Sequence, residues 1–395
     1  MWHQPWTYKE GIAVAAGLIV VGLLLQFCVG SINWDLVEWP VNIIMLCCYV
    51  ATLATAFSLR KKSYVIRWCM SYNAAVPALL ISGIATVGYG ITCIRETLSF
   101  WPFVLLYVWL TTIAGLSCIK LIAERRSLGA ILCHAGFFLA VTCATLGSAD
   151  MQKLRMQISS DSPEWRALDD AGNIHELDIA LELNHFTIDE YPPKLVVIDN
   201  ATGKALPQGK SESIVLEDSV TEGQLLDYQI KVSHVYDYAA QVSSPDSVNY
   251  VAWAYNGATS AALVEVSKNG KSPIAVGWVS NGSYMFPYKA LRLSANHSLV
   301  MPERDPKRYV SNVNVYTKSG IKKEGVEIEV NKPLKIEGWN IYQLSYDERM
   351  GRWSSTSVVE LVNDPWLPAV YVGIYMLLAG AVVMFFTINH KRKQQ

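Results

Sequence analysis

One histidine in this chain lies inside a long apolar run: His134, in Ser127-Leu-Gly-Ala-Ile-Leu-Cys-His-Ala-Gly-Phe-Phe-Leu-Ala-Val-Thr142. An ionisable side chain at that depth is expensive in lipid and points to function by default. The chemistry open to it is ligation, since a neutral imidazole is a common axial ligand of haem iron. Gly129, Ala130 and Gly136 keep the helix surface low, as the approach of a flat macrocycle requires, and Phe137 and Phe138 offer rings to its edge. The plainer reading is one hydrogen bond from the imidazole to a neighbouring helix. The residues themselves leave both readings open. At about 1.5 Å per residue, His134 lies roughly 10 Å into its span.

Little else in the sequence has the spacing of a reactive site. His175, His185, His234 and His297 are scattered through a polar stretch without the spacing of metal ligands. All eight cysteines, from Cys28 to Cys143, precede that stretch, and no two form a C-x-x-C pair. They read as small buried hydrophobes that pack helices. No nucleophile elbow, phosphate-binding loop, dinucleotide fingerprint or H-E-x-x-H motif is present, so hydrolase and nucleotide chemistry have no support. Trp34-Asp35-Leu36-Val37-Glu38-Trp39-Pro40 forms a short acidic, Trp-bearing loop that reads as an anchor at the membrane interface.

The elements that must position His134 follow from hydropathy. The 395 residues are 51% hydrophobic, too apolar for an ordinary soluble chain, yet the charges cluster between residues 150 and 365. The net charge of -1 gives no electrostatic case for a nucleic-acid partner. Six apolar runs, near 11–30, 41–59, 74–94, 101–121, 128–147 and 366–388, have the roughly 20 residues that span a bilayer. Basic residues mark alternate loops: Arg60, Lys61, Lys62 and Arg67, then Lys120, Arg125 and Arg126, then Lys391 to Lys393, whereas 31–40 has none and 95–100 has Arg95 alone. The positive-inside rule then puts both termini in the cytoplasm and residues 148–365 outside a bacterial inner membrane.

That outer segment alternates polar and apolar residues in short runs, including 176–187, 194–198, 227–236, 262–266, 309–317 and 326–330. Turn signals at Asn200-Ala-Thr-Gly203, Asn269-Gly270 and Asn281-Gly282 separate them, which suggests a β-sandwich or open barrel. Ser162-Pro163-Glu164, followed by Trp165 to Leu168, reads as a capped helical turn. The expected organisation is a transmembrane α-helical bundle of five helices over 1–147, an all-β extracytoplasmic domain over 148–365, and a sixth helix with a basic tail over 366–395.

Leu183-Asn-His-Phe-Thr-Ile-Asp-Glu-Tyr191-Pro-Pro-Lys-Leu-Val-Val and the stretch Val330-Asn-Lys-Pro333-Leu-Lys-Ile-Glu-Gly338-Trp-Asn-Ile-Tyr342-Gln343-Leu-Ser-Tyr346 resemble the ResB/CcsB family of system II cytochrome c biogenesis proteins. Asp364-Pro365, opening the last helix, fits the same pattern. Pro333 and Gly338 read as turns, with Tyr342 and Tyr346 on one face of a strand. The family often shows three helices ahead of its outer domain, whereas this chain reads as five. The Trp34 loop is similar in its tryptophans and acids to the haem-binding segment of CcsA-type proteins, but is shorter and lacks the flanking histidines.

The resemblance implies a subunit of a cytochrome c haem synthase that acts in membrane lipid with a CcsA-like membrane protein. Such a complex moves haem b outward and presents it to the C-x-x-C-H thiols of apocytochrome c. His134 matches the family's intramembrane haem ligand, the second axial ligand coming from the partner. The rival from a different class is a scaffold whose β-domain binds apocytochrome or braces the partner without touching haem. The loop charges make a direct prediction: reporter fusions at Ser148 and at Gln395 report outside and inside respectively, and the opposite result at either point would mean that the spans are miscounted.

Overall fold

In a computed structural model, residues 2–92, 97–217, 221–244, 247–268 and 272–392 are described. Cys93, Arg95, the Asn269-Gly270 turn and Lys393 to Gln395 lie outside them. The chain divides into a helical unit, residues 1–152 with 363–395, and a β-unit, residues 153–362.

The helical unit contains α1 (Tyr8–Val29), α2 (Val41–Ser58), the short α3 (Tyr64–Cys69), α4 (Tyr72–Thr92), α5 (Trp101–Ala123), α6 (Leu128–Gly147) and α7 (Leu367–Arg392). Apolar runs of this length form helices in lipid because only there does the segment satisfy its own backbone. Polar residues mark their starts. Thr7 and Glu10 form a capping box at α1, and Ser127 accepts from the Ala130 amide at α6. At α7, the Asp364 carboxylate accepts from the Trp366 and Leu367 amides at 3.1 and 3.0 Å, which gives the Asp364-Pro365 motif its physical role. Five described helices, α1, α2, α5, α6 and α7, are long and apolar enough to cross a membrane. The sixth expected span is α4, whose apolar part, Tyr72–Gly88, is shorter and carries Pro77.

Helix α5 is the centre of the unit, burying Leu106, Trp109, Leu110 and Ile113 against Ala15, Ala74 and Ala78. Tyr49 of α2 reaches Thr111 and Thr112 of α5, both at 2.9 Å. The tightest contact joins α6 to α7. A Cβ on Gly136 would stand 2.5 Å from the Gly373 carbonyl oxygen, and one on Gly380 2.7 Å from the Cys133 amide nitrogen. Gly129, Cys133 and Gly136 therefore form a seam against Gly373, Leu377 and Gly380, a small-residue interface in which backbones touch directly. Gly129 and Gly136 are thus committed to α7; they do not form the low surface beside His134 that the sequence suggested.

In the β-unit the chain forms β1 (Gln152–Ser159), β2 (Glu164–Leu168), β3 (Ile174–Glu190), β4 (Lys194–Asp199), β5 (Ile214–Val215) and β6 (Glu222–Leu225). It continues through β7 (Tyr228–Ser244), β8 (Ser247–Ala252), β9 (Thr259–Lys268), β10 (Ala275–Ser280), β11 (Leu291–Arg292) and β12 (His297–Val300). The last strands are β13 (Pro306–Thr317), β14 (Lys322–Glu329), β15 (Leu334–Ile336), β16 (Trp339–Tyr346) and β17 (Thr356–Asn363). An eight-stranded sheet runs β14-β13-β3-β2-β1-β17-β16-β15, and β14 returns to the vicinity of β15 and β16, so the sheet nearly closes into a barrel. Five- and four-stranded sheets complete the unit. The barrel is filled by alternate residues such as Met156, Ile158, Leu181, Leu183, Val313 and Ile341, and a second core forms around Leu195, Ile230, Val264 and Leu299.

The helical turn expected over Ser162–Leu168 is strand β2. Glu164 spends its carboxylate locally, accepting from the Trp165 and Arg166 amides and the Arg166 guanidinium. Ala167 is buried in the barrel core and pairs with His175, so strand pairing overrides the local capping signal.

The family-like motifs have structural work. Glu337 and Gly338, at φ 46° and 83°, form the two-residue hairpin turn between β15 and β16. Gln343 is buried with Ser311 and Ser357, its Nε2 donating to the Ser345 carbonyl and the Ser357 hydroxyl at 2.9 Å each. Ser311 donates to the Gln343 carbonyl oxygen, which makes this a satisfied buried network.

The α6–α7 seam predicts that Gly136→Ala destabilises the full-length protein in detergent by about 1–3 kcal/mol, because two backbones must part. Gly83→Ala, where a Cβ meets nothing within 4 Å, leaves stability unchanged or raises it. Equal behaviour of the two variants in a thermal unfolding assay would rule out the seam.

Candidate functional site

His134 stands one residue beyond Cys133 on α6, just off the glycine seam. Its Nδ1 lies 2.9 Å from the Ala130 carbonyl oxygen, which can only accept, so Nδ1 is the donor and, in the neutral imidazole, the lone pair is on Nε2. Nε2 has no partner among the described residues, and a ring held by one nitrogen with the other unpaired is the arrangement of a metal-ligating histidine. The side chain is exposed within this chain and lines an apolar recess of about 260 Å³. Leu79 of α4, Leu110 and Ile113 of α5, Phe137 of α6 and Leu377 of α7 form its walls. Phe137 lines the recess with the histidine, whereas Phe138 turns to α2 and stacks on Tyr49 at 6.0 Å.

The other histidines have separate tasks. The His175 imidazole pairs with Asp169 at 3.0 Å, His297 with the Tyr228 hydroxyl at 3.1 Å, and His234 stacks on Tyr236. His185 is exposed on β3. Among the described residues, no three His, Cys, Asp or Glu side chains converge as a metal site.

At the other end of α6 lies a knot that the sequence reading missed. Asp150 accepts from the buried Asn42 amide at 2.8 Å, the Trp39 backbone amide at 2.7 Å and the Trp366 indole at 2.6 Å. One carboxylate thus fastens the starts of α2 and α7 to the end of α6, and the Trp34–Pro40 loop is held by it. Burial alone would push this carboxyl up, but the hydrogen bonds from Asn42, Trp39 and Trp366 outweigh it and hold the group below its ordinary value. The available signal was Asn42, a lone amide in the first turn of an apolar helix.

In the β-unit a cleft of about 490 Å³ opens between the 281–288 loop, the start of β13 and the 348–353 loop. Arg304 and Arg352 share the Glu190 carboxylate at 3.4 and 3.1 Å beneath it. Arg352 also lies against Tyr238 and Trp353, with its carbon 4.8 and 5.1 Å from the ring centroids. Phe186, Tyr346 and Tyr309 stack in series at 4.9 and 5.6 Å. The Tyr346 phenol is pushed up by burial, then by Tyr309 and by the charges of Glu348 and Glu303.

An apolar helical unit long enough to cross a membrane, with a nearly closed β-barrel inserted before its last helix, defines the class of protein. The model of the ResB-like family matches residues 276–356, consistent with the ResB/CcsB resemblance of the motifs. All lining residues of the β-unit cleft except Ile188, Glu190 and Ala258 fall in the matched stretch. No curated protein matches the chain.

The lowered Asp150 carboxyl contributes stability that is present at neutral pH and lost as pH falls from the ordinary carboxylate range, about 4, through the lowered value. Asp150→Asn therefore lowers neutral-pH stability by about 1–3 kcal/mol, and the gap to the parent closes in acid. A gap that is constant across the titration would show that charge at Asp150 is irrelevant.

Proposed function

We propose that this chain is a haem-handling subunit of cytochrome c assembly, with haem b as cargo and His134 as one of its axial ligands. The observation that carries the reading is His134 itself: an imidazole on an apolar helix long enough to cross a membrane, exposed within its own chain, with Nδ1 tied to a backbone carbonyl and no partner at Nε2 among the described residues. Such a group at a lipid-facing position is unfavourable unless something covers it. The adjoining recess suits the apolar edge of a macrocycle, but at about 260 Å³ it falls below the ~300–1,000 Å³ of a complete small-molecule pocket. The remainder of the site, including a second ligand, belongs to a CcsA-like partner. When bound, the haem iron supplies the affinity for imidazole, while this chain fixes the tautomer and the apolar wall. The β-domain, outside the membrane by the positive-inside assignment, then stands where apocytochrome c arrives for thioether attachment.

A scaffold function is the second reading, and the aromatic and arginine-lined cleft in the family-matched stretch favours it. There the β-domain holds apocytochrome or the partner, and haem passes elsewhere.

Replacing His134 with Ala separates the two. The haem reading expects the purified complex with its CcsA-like partner to lose or shift its Soret band and holocytochrome yield to fall about tenfold or more, on the scale of a lost ligand contact. Protein levels should hold, and His185→Ala should leave the spectrum unaltered. Wild-type spectra with full cytochrome assembly in the His134 variant would favour the scaffold.

A further inference from the structure

The ends of α2 and α5 remote from the Asp150 knot, together with α3, surround a recess of about 380 Å³ that the haem reading does not use. Its lining contains Arg60, Lys61, Arg67 and Lys120, four cations drawn from three elements. The acid that lines it, Glu124, is paired at 3.0 Å with Arg126, which is not part of the lining. The four cations form no ion pair among the described residues. Neutral groups hold three of them instead. Arg67 donates to the Lys61 carbonyl at 2.9 Å, Arg60 to the Phe57 carbonyl at 3.0 Å while lying over the Phe57 ring, and Lys120 to the Met70 carbonyl at 3.4 Å.

Positive-inside placement and the helix dipole explain why each cation stands at its own helix end. They do not explain convergence. Four like charges around one recess repel one another unless an anion sits between them. Guanidinium forks match phosphate oxygens. Met70 lines the recess with the cations, and Leu59, next to Arg60 in the chain, is 45% exposed, so apolar surface adjoins the charge, as a headgroup with attached acyl chains requires and a free ion does not.

We infer that this recess is a binding site for the phosphate headgroup of an anionic phospholipid, with Arg60, Arg67 and Lys120 as its ligands and Met70 and Leu59 toward the acyl chains. Basic recesses between helix ends are a recurrent way to hold such lipids.

The test uses the full-length protein, stripped in neutral detergent and then supplied with phosphatidylglycerol, phosphatidylcholine or inorganic phosphate. Retained lipid is read by native mass spectrometry and the melting temperature is followed in parallel. Phosphatidylglycerol should be retained and raise the melting temperature, and phosphatidylcholine should do neither. Arg67→Gln combined with Lys120→Gln should cut phosphatidylglycerol retention by about tenfold or more, from two lost cations. Lys62→Gln, a neighbouring cation outside the lining, should retain it, and an unchanged gel-filtration profile of the double variant controls for folding. Equal retention of the two lipids, unchanged retention in the double variant, or equal stabilisation by inorganic phosphate alone would each overturn the assignment.

Discussion

The backbone contact between α6 and α7 is the constraint on which the remaining arrangement rests. Both helices must satisfy their own hydrogen bonds in lipid, where apolar side chains give no driving force for association. They come together because Gly129, Gly136, Gly373 and Gly380 remove the side chains that would keep them apart. These are the helices that precede and follow the β-unit in the chain, and within that unit the first and last strands, β1 and β17, are neighbours in one sheet. The Asp150 knot fastens the seam where α6 ends and α7 begins.

The same seam sets the position of His134. With Cys133 turned into α7, the next residue falls on the flank, where α4 and α5 supply the walls of the recess. The histidine is therefore presented outward, with its tautomer set by Ala130. In the haem reading His134 is half of a site, so that reading needs a partner with its own ligand.

Much of this was legible in the sequence because its signals are local. The apolar runs gave α1, α2, α5, α6 and α7 to within a few residues, and alternation gave β3, β7, β9 and β13. The turns at Gly203, Gly282 and Gly338 carry positive φ, as their residues demanded. What stayed hidden depends on partners far apart in the chain. The Ser162–Leu168 stretch has a helical cap by itself and becomes a strand only because β1 and β3 flank it. Gly129 and Gly136 looked like a platform for a ligand until α7, more than 200 residues later, was seen to occupy it. Asp150 and Asn42 are 108 residues apart, and the cleft arginines pair with Glu190 across more than 100 residues, so neither site leaves a local pattern.

The central claim is that the His134 imidazole supplies a bond to haem iron, and chemical rescue tests it most directly. The complex of the His134→Ala variant with its CcsA-like partner is purified, and its Soret spectrum and haem content are measured as free imidazole is added. The account predicts that imidazole enters the vacated position and restores both toward the parent values, with no effect on the His185→Ala control. A variant complex that already holds its full complement of haem with an unshifted band would contradict it.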